Sequence, residues 1–225
     1  MKIGIIGGGG VGQTLGAGLQ ALGHAVTLGI RSPSPEELAK PRTQAQPLSD
    51  WITATGGKVA TMAEAAASAE LIINATQGEA SVAALTLAGA DNLAGKVLID
   101  VSNPLDFSRG FPPALSAAYS GHTSLAEAIQ TAFPATHVVK AFNSIGAPIM
   151  TNPGMIKGPH DLFVAGNDAA AKATVIDLAR TLGWTDFQDM GDLKGSRAME
   201  TLVLVWVQIM SVTGSTAHNL HVARG

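Results

Sequence analysis

The chain has 225 residues, 46% hydrophobic and 14% charged, with a formal net charge of −3, so most of it is expected to be buried in one large domain or in one domain with a small appendage. The charge balance gives no reason to expect nucleic acid or an anionic membrane as a partner. Cysteine is absent, which excludes disulfides, thiolate metal sites and cysteine nucleophiles.

Short β-branched apolar runs alternate with alanine-rich stretches along the chain. The runs predict strands at 2–6, 25–30, 71–75, 97–101, 137–142, 161–166 and 185–190. The stretches between them predict helices at 11–22, 35–55, 62–68, 79–88, 123–133 and 168–183, and a last apolar helix from about 196 into the 210s. This alternation predicts an α/β protein with a doubly wound (Rossmann) parallel sheet, extra C-terminal strands and a short C-terminal helical portion.

Residues that begin, end or interrupt regular structure refine these elements. Asp168 is expected to cap the helix 168–183, and Gly183 to end it. The stretch 103–113 is too rich in proline, glycine and asparagine to predict regular structure. A loop of this length in a compact domain is often functional.

A glycine motif follows the first strand directly. Gly7, Gly9 and Gly12 have the spacing G-x-G-x-x-G at a strand–turn–helix junction, which is typical of dinucleotide-binding sites. Gly7 would allow the tight turn, Gly9 the approach of a pyrophosphate, and Gly12 close contact between helix and strand. Gly10 and Val11, inside the motif, are included in the predicted site.

The helix that begins at this motif also has a predicted packing face. Its buried face is predicted to hold Val11, Leu15, Leu19 and Leu22. Gly16 and Gly18 are unfavourable inside a helix, so we expect them to pack closely on the sheet.

The end of the second strand predicts which dinucleotide is bound. About 20 residues after the glycines, a protein that binds NAD carries an acidic residue for the ribose 2′-hydroxyl. Here the strand ends at Ile30 and is followed by Arg31 and Ser32. A guanidinium and a hydroxyl suit a 2′-phosphate, which a carboxylate would repel. The sequence therefore predicts NADP, with the alternative that Arg31 only solvates the start of a loop.

Polar residues follow three other predicted strands, where an open parallel sheet binds its ligands. These segments are Asn74–Gln77, Ser102–Leu105 and Ala141–Ile145. Their members expected to contact the nucleotide are Asn74, Ala75, Thr76, Asn103, Pro104 and Asn143. The alternative for each polar one is a turn-forming role.

A catalytic triad and a metal site are not predicted. His218 and His221 could share a face of a helix, but they lack a carboxylate or a third ligand. Asp100 is predicted to be a buried, hydrogen-bonded carboxylate, with a catalytic role as the alternative, and His137 is predicted to be structural. Lys140 is expected to contact a phosphate or solvent, and Trp206 to lie in the core or to cover a flat ring. The sequence therefore identifies no catalytic residue.

Five segments together resemble a known family. They are IIGGGGVG (5–12), LGHAVTLGIR (22–31), VLIDVSNPLDFSRGFPP (97–113), VVKAFNSIGAPIM (138–150) and DLFVAGND (161–168). In order and spacing the chain resembles the NADPH-dependent reductases of the deazaflavin coenzyme F420 and their bacterial NADP oxidoreductase relatives, with the cytosolic oxidoreductase domain of ferric metalloreductases as a more distant cousin. The resemblance implies an NADP-binding Rossmann-type domain over 1–192, and a small helical portion over 193–225 that closes the cleft or forms a dimer interface.

The resemblance also assigns roles to individual residues. Gly7, Gly9 and Gly12 match the pyrophosphate loop, and Arg31 matches the arginine that holds the 2′-phosphate. The family's serine falls on Ile30, for which Ser32 would substitute, and its downstream basic residue has no match in SPSPEE (32–37). Asn143-Ser144-Ile145 replaces a His-Thr-Ile segment that lines the deazaflavin site, and Gly146 replaces a proline, which leaves the second substrate open.

The leading hypothesis is an NADP-dependent oxidoreductase that transfers a hydride between NADP(H) and F420 or another flavin-like or quinone-like small-molecule acceptor. The alternative is a non-catalytic NADP(H) sensor. β-Hydroxyacid dehydrogenases are disfavoured, because only about 30 residues follow Gly195, too few for their helical second domain. Contacts to the acidic tail of F420, or plain surface charges, are predicted at Arg109, Lys157 and Arg197.

Composition also bears on assembly and location. A surface with so few charges favours a homodimer. The longest apolar run, Leu202 to Met210, is far shorter than a bilayer span, and the first strand begins without a leader segment. We therefore expect a cytoplasmic protein with no membrane partner.

Overall fold

A single sheet organises the protein. The computed structural model describes residues 1–42 and 44–225. The strands are β1 (Lys2–Ile6), β2 (Ala25–Ile30), β3 (Lys58–Thr61), β4 (Leu71–Asn74), β5 (Val97–Asp100), β6 (Leu105–Asp106), β7 (Ala114–Leu115), β8 (His137–Ala141), β9 (Leu162–Gly166) and β10 (Phe187–Asp189). Eight of them form the sheet in the order β10-β9-β8-β5-β4-β1-β2-β3, and β6 and β7 form a separate two-stranded pair.

The direction of the strands follows the prediction over most of the sheet. The six strands from β8 to β3 are parallel to one another. β9 runs antiparallel to β8, and β10 runs parallel to β9. The doubly wound (Rossmann) fold with extra C-terminal strands is therefore confirmed, but the two extra strands run in the opposite sense, since only a short helical turn and a loop connect β8 to β9.

The helices cover both faces of the sheet. They are α1 (Gly10–Ala21), α2 (Pro35–Ala39), α3 (Leu48–Thr55), α4 (Met62–Ser68), α5 (Ser81–Ala88), α6 (Ala90–Leu93), α7 (Leu125–Ala132), α8 (Ala147–Thr151), α9 (Ala169–Thr181) and α10 (Ser196–Thr213). None of the helices in the described ranges is long and apolar enough to cross a membrane.

The predicted helix over 35–55 is wrong as one element. It is two helices, α2 and α3, because Pro41 and Pro47 remove backbone donors and restrict the residues before them. The strand β3, which follows α3 and forms the sheet edge, was not predicted. Its four residues KVAT include no fully buried position, so the apolar run that reveals a central strand is missing.

The glycine-rich helix α1 packs largely as its sequence pattern predicts. Leu15 and Leu19 are buried, but Leu22 is 46% exposed, because α1 ends before it and the chain turns at Gly23 with φ +81°. A Cβ at Gly16 would lie 2.7 Å from the Trp51 ring, and one at Gly18 would lie 2.5 Å from Thr151. Gly18 therefore packs on α8 rather than on the sheet.

The C-terminal region combines confirmed and wrong predictions. Asp168 caps α9 by accepting a hydrogen bond from the Ala171 N–H at 2.7 Å, and Gly183 follows its end with φ +99°. Residues 214–225 form neither helix nor strand, so His218 and His221 do not share a helical face. His218 instead stacks on Trp206, with ring centroids 5.0 Å apart.

Candidate functional site

The glycine motif forms a bare main-chain cradle at the carboxyl ends of β1 and β4. Gly7 has φ +124°, and a Cβ there would lie 2.5 Å from the Ala75 carbonyl oxygen. A Cβ at Gly12 would overlap the Gly7 carbonyl oxygen, whereas a Cβ at Gly9 would meet no described atom within 4 Å. Gly7 and Gly12 are thus required by the fold, and Gly9 leaves open space where a ligand can approach.

The first turn of α1 faces that space. Gly9 is its N-cap, without a capping side chain or an acidic residue in the turn as described. The first N–H groups of a helix lack partners inside it and carry a partial positive charge. This is the arrangement that binds phosphate groups.

Gln13, whose role the sequence does not predict, bonds a neighbouring segment to the cradle. Its buried side-chain amide donates to the carbonyls of Gly8 at 3.1 Å and Gln46 at 2.9 Å. The Trp51 indole in turn donates to the Gln13 carbonyl at 2.9 Å. These bonds hold the chain before α3 against the cradle. The sequence signal that could have identified Gln13 is a polar residue directly after Gly12, the last glycine of the motif.

A cleft of about 400 Å³ lies at the end of β2, here called the outer cleft. Its lining consists of Gly7, Gly8, Gly29, Ile30, Arg31, Ser32, Glu37, Lys40, Arg42 and Met62. Arg31 and Ser32 line it directly after β2. Two cations that were not predicted, Lys40 and Arg42, join them because α2 folds the following chain back towards β2.

One carboxylate is inside this basic cleft. Glu37 accepts a hydrogen bond from the Arg42 guanidinium at 2.8 Å and lies 3.8 Å from the Lys40 ammonium. With Arg31, the outer cleft holds three cations and one anion. This excess of positive charge suits a dianionic group, such as a phosphate, better than a neutral hydroxyl.

A second cleft, of about 270 Å³, lies beyond the cradle at the ends of β4 and β5 and is here called the inner cleft. Its lining consists of Val11, Ala75, Thr76, Gln77, Gly78, Glu79, Val101, Ser102, Asn103, Leu105 and Phe107. Four predicted site residues therefore lie on its surface: Val11, Ala75, Thr76 and Asn103. Pro104 lies behind it, against Gly78.

Asn74 lies beneath the inner cleft and is fully buried. Its amide donates to Asp100 at 2.9 Å, to Ser81 at 3.0 Å and to Ser102 at 3.2 Å. Its oxygen accepts the Thr76 hydroxyl at 2.7 Å. Asn74 thus joins the two strand ends that form the floor of the cleft.

Asn143 is also buried behind the inner cleft. Its amide donates to Asn103 at 2.9 Å and to the Met199 carbonyl of α10 at 2.8 Å. Asn103 donates in return to the Asn143 carbonyl at 2.6 Å. The preceding residue, Phe142, has φ +63°, which is uncommon for a bulky side chain and frequent near functional sites.

Lys140 reaches neither solvent nor an open phosphate site, so both predictions for it are wrong. Its fully buried ammonium pairs with Asp100 at 2.8 Å and Glu200 at 2.9 Å. Burial alone would lower the pKa of Lys140, but the two carboxylates outweigh it and raise that pKa above its usual value. The side chain is charged and fixed. Asp100 is the buried carboxylate that the sequence predicts.

The remaining predicted charges lie outside both clefts. Arg197 forms a two-pronged ion pair with Glu127 at 2.6 and 2.8 Å, and this hydrogen bonding lowers the pKa of Glu127. Arg109 and Lys157 are exposed, and His137 lies 3.4 Å from Asp168. In the described ranges, no group of three or more histidine or acidic residues could hold a metal ion.

The doubly wound sheet, the bare cradle and the two flanking clefts define a dinucleotide-binding protein of the Rossmann class. The family described as NADP oxidoreductase, coenzyme F420-dependent, matches residues 2–104. A solved structure from Arthrobacter sp. FB24, provisionally assigned as an F420-dependent NADP-reductase, is 46% identical over 100% of both chains with a TM-score of 0.93. The chain belongs to the F420-dependent NADP oxidoreductase family.

Two longer relatives match parts of the chain. The metalloreductase STEAP3 of Rattus norvegicus is 34% identical over 203 residues, which are 90% of this chain and 36% of the relative. The F420-dependent NADP reductase of Methanocaldococcus jannaschii is 30% identical over 114 residues, 50% of this chain and 49% of the relative. The chain thus spans less than two thirds of either relative, and both are named as reductases.

Proposed function

We propose that the chain is an NADP-dependent oxidoreductase that transfers a hydride between NADP(H) and a flat redox acceptor. The observation that carries this proposal is the outer cleft. It places Arg31, Lys40 and Arg42 beside the glycine cradle, at the position where a protein that binds NAD has a carboxylate.

The described residues fit NADP along its whole length. The N–H groups of α1 and the open space at Gly9 suit the pyrophosphate, and the outer cleft suits the 2′-phosphate. The inner cleft then receives the nicotinamide half, where Thr76 and Asn103 offer a hydroxyl and an amide to the ribose or the carboxamide. Bound NADPH supplies the hydride.

The protein's own part in the transfer is to position and shield. Asn74 and Asn143 are buried beneath Thr76 and Asn103 and keep those side chains in fixed orientations. Val11, Val101 and Leu105 give the inner cleft apolar walls, which exclude water from the reacting carbons. Such alignment meets the main requirement of hydride transfer, which depends on positioning more than on an acid or base from the protein.

The proposed acceptor is F420 or a flavin-like or quinone-like compound. The names of the F420-dependent relatives favour the deazaflavin, whereas Asn143-Ser144-Ile145 departs from the segment expected to line its site. Asn143 and Ser144 are buried. Their side chains therefore support the site from behind and are not exposed on its surface.

We also propose a division of labour within the chain. Residues 1–192 would bind the nucleotide, and residues 193–225, with α10, would close the cleft or pair with a second copy. Val205 and Val212 on α10 are 49% and 77% exposed, which favours an apolar contact between two copies. Light scattering on the purified protein measures whether it is a homodimer.

Calorimetry with NADPH and NADH tests the nucleotide assignment. The wild type should bind NADPH about tenfold to a hundredfold more tightly, the difference expected from charge-assisted hydrogen bonds. Arg31→Glu should erase this preference, while Arg180→Glu, on α9 and outside both clefts, should keep it. Equal affinities in the wild type, or an unchanged preference in Arg31→Glu, would refute the assignment.

Turnover tests the chemistry. Purified protein with NADPH and, in turn, F420, FMN or a quinone is followed by the loss of nicotinamide absorbance. Oxidation with one acceptor supports the oxidoreductase. Tight NADPH binding without oxidation by any of them would instead favour a non-catalytic NADP(H) sensor.

A further inference from the structure

The ammonium of Lys140 joins three parts of the protein at one buried point. It bonds Asp100 of β5 at 2.8 Å, Glu200 of α10 at 2.9 Å and the carbonyl of Ser102 at 2.6 Å. Buried ion pairs contribute little net stability compared with well-packed apolar side chains. Stability alone therefore does not explain a charged cluster here. The hydrogen bonds that connect the cluster to the inner cleft and to α10 suggest another role.

The Asp100 side of the cluster fixes Ser102 at the inner cleft. Asp100 accepts the Ser102 N–H at 3.2 Å and the Ser102 hydroxyl at 2.5 Å. Together with the Lys140 bond to the carbonyl, every polar group of Ser102 has a partner in the cluster. Ser102 lines the inner cleft and cannot shift without breaking these bonds.

The Glu200 side of the cluster fixes α10. Glu200 accepts the N–H groups of Leu125 at 2.9 Å and Ala126 at 3.2 Å, at the start of α7. The partial positive charge of that helix end adds to the stabilisation of the carboxylate. The residue before Glu200, Met199, accepts the Asn143 amide that is paired with Asn103.

Two consecutive residues of α10 are therefore bonded, through one intermediate each, to two consecutive residues of the inner cleft. Glu200 reaches Ser102 through Lys140, and Met199 reaches Asn103 through Asn143. The parallel connections fix both the position and the tilt of this wall relative to α10. The outer cleft takes no part in this network.

We propose that Lys140 is a positioning residue that fixes the Ser102–Asn103 wall of the inner cleft to α10 and so sets the geometry of the nicotinamide half-site. This inference rests on the proposed binding of NADP. It predicts that weakening the cluster impairs recognition of the nicotinamide half and spares the adenosine half.

The test compares two ligands and two variants by calorimetry. NADP⁺ occupies both clefts, whereas 2′,5′-ADP has only the adenosine half. Glu200→Gln removes the charge that faces Lys140, and Glu127→Gln breaks a different tie between α7 and α10, the ion pair with Arg197. Glu200→Gln should weaken NADP⁺ binding about fivefold, within the usual range of couplings through packed networks, and leave 2′,5′-ADP within about twofold.

The control decides between positioning and general loosening of α10. Glu127→Gln should leave both dissociation constants unchanged. The deciding quantity is the ratio of the dissociation constants for NADP⁺ and 2′,5′-ADP. The inference is overturned if this ratio keeps its wild-type value in folded Glu200→Gln. It is also overturned if the ratio changes equally in Glu200→Gln and Glu127→Gln. If the wild type binds neither ligand, the proposed function fails first, so the two failures are distinguishable.

Hydrogen exchange on the wild type gives a second measurement in case Glu200→Gln does not fold. The amides of Leu125 and Ala126 bond to Glu200 and lie outside both clefts. NADP⁺ should slow their exchange more than 2′,5′-ADP does, because only NADP⁺ loads the wall that Lys140 holds. Equal exchange with the two ligands would contradict the inference.

Discussion

The outer and inner clefts lie on either side of the glycine cradle and are built in opposite ways. The outer cleft is open, and its cations come from a short stretch of chain, residues 31–42. The wall of the inner cleft is held by buried hydrogen bonds among residues far apart in sequence, such as the pair Asn103 and Asn143. One end of the site is thus electrostatic and adaptable, and the other is fixed in shape.

This difference matches what each half of a nicotinamide dinucleotide requires. A phosphate is recognised by charge and by N–H groups, which tolerate movement of long side chains. A nicotinamide that donates a hydride must be held at a defined distance and angle. The buried cluster around Lys140 supplies rigidity where the proposed chemistry needs it.

The largest effect, a loss of stability, is expected from removing the cation that holds the inner cleft. Lys140→Met removes the only cation bonded to Asp100 and Glu200 in the described structure and leaves two buried carboxylates without a positive charge beside them. Loss of one partner from a buried ion pair destabilises by about 3–5 kcal/mol. Urea unfolding measures the loss. Lys157→Met, at an exposed position, is the control and should change the free energy of unfolding by less than about 0.5 kcal/mol; equal midpoints for the two variants would contradict the prediction.

The next effect concerns the cradle between the two clefts. Gly9→Ala should fold, since Gly9 has φ −80° and ψ −174° and a Cβ there meets no described atom within 4 Å. The new methyl group would occupy the space proposed for the pyrophosphate. We expect the dissociation constant for NADPH to rise about tenfold, equivalent to roughly 1.4 kcal/mol.

Thermal unfolding separates this loss of binding from a loss of fold. At an N-cap, Gly9→Ala should cost at most about 1 kcal/mol of stability. Gly154→Ala is the matched control, because a Cβ there has only an ordinary contact at 3.5 Å and the position lies outside both clefts. An unchanged NADPH affinity in Gly9→Ala would show that the ligand does not approach the cradle at this residue.

The two clefts also differ in how far the sequence predicts them. The cradle and Arg31 depend on local backbone geometry, so a short motif is sufficient to find them. Lys40 and Arg42 were missed because α2 brings them back to β2, a turn that the proline-rich stretch allows but does not specify.

The inner cleft shows the limit of local patterns more clearly. The positions of Asn74, Asn103 and Asn143 at the ends of buried strands predict that they lie near the ligand, and the structure brings them to one edge of the sheet. For Lys140 the sequence predicts a contact with a phosphate or with solvent, because a lysine inside a strand has no visible partner in sequence. Its partner Glu200 lies 60 positions away on a helix whose packing no local pattern predicts.

The smallest effect is expected in the outer cleft, where one carboxylate competes with the ligand for a cation. Glu37 pairs with Arg42 at 2.8 Å in the outer cleft and would have to release it when a 2′-phosphate enters. Glu37→Gln removes this competing carboxylate, so NADPH should bind about two- to fivefold more tightly, the size expected of a partly exposed ion pair. NADH lacks the phosphate and should gain no affinity.

Glu36→Gln is the control that isolates the contact from net charge. Glu36 and Glu37 both lie in the first turn of α2, so their removal changes the helix end and the total charge alike, but only Glu37 pairs with the cations of the outer cleft in the described structure. Calorimetry at low and high salt should show the gain for Glu37→Gln and its decline as salt screens the charges. The same gain in Glu36→Gln would mean that overall charge, rather than release of Arg42, controls the affinity, and the outer cleft would then act through its field and not through a specific exchange of partners.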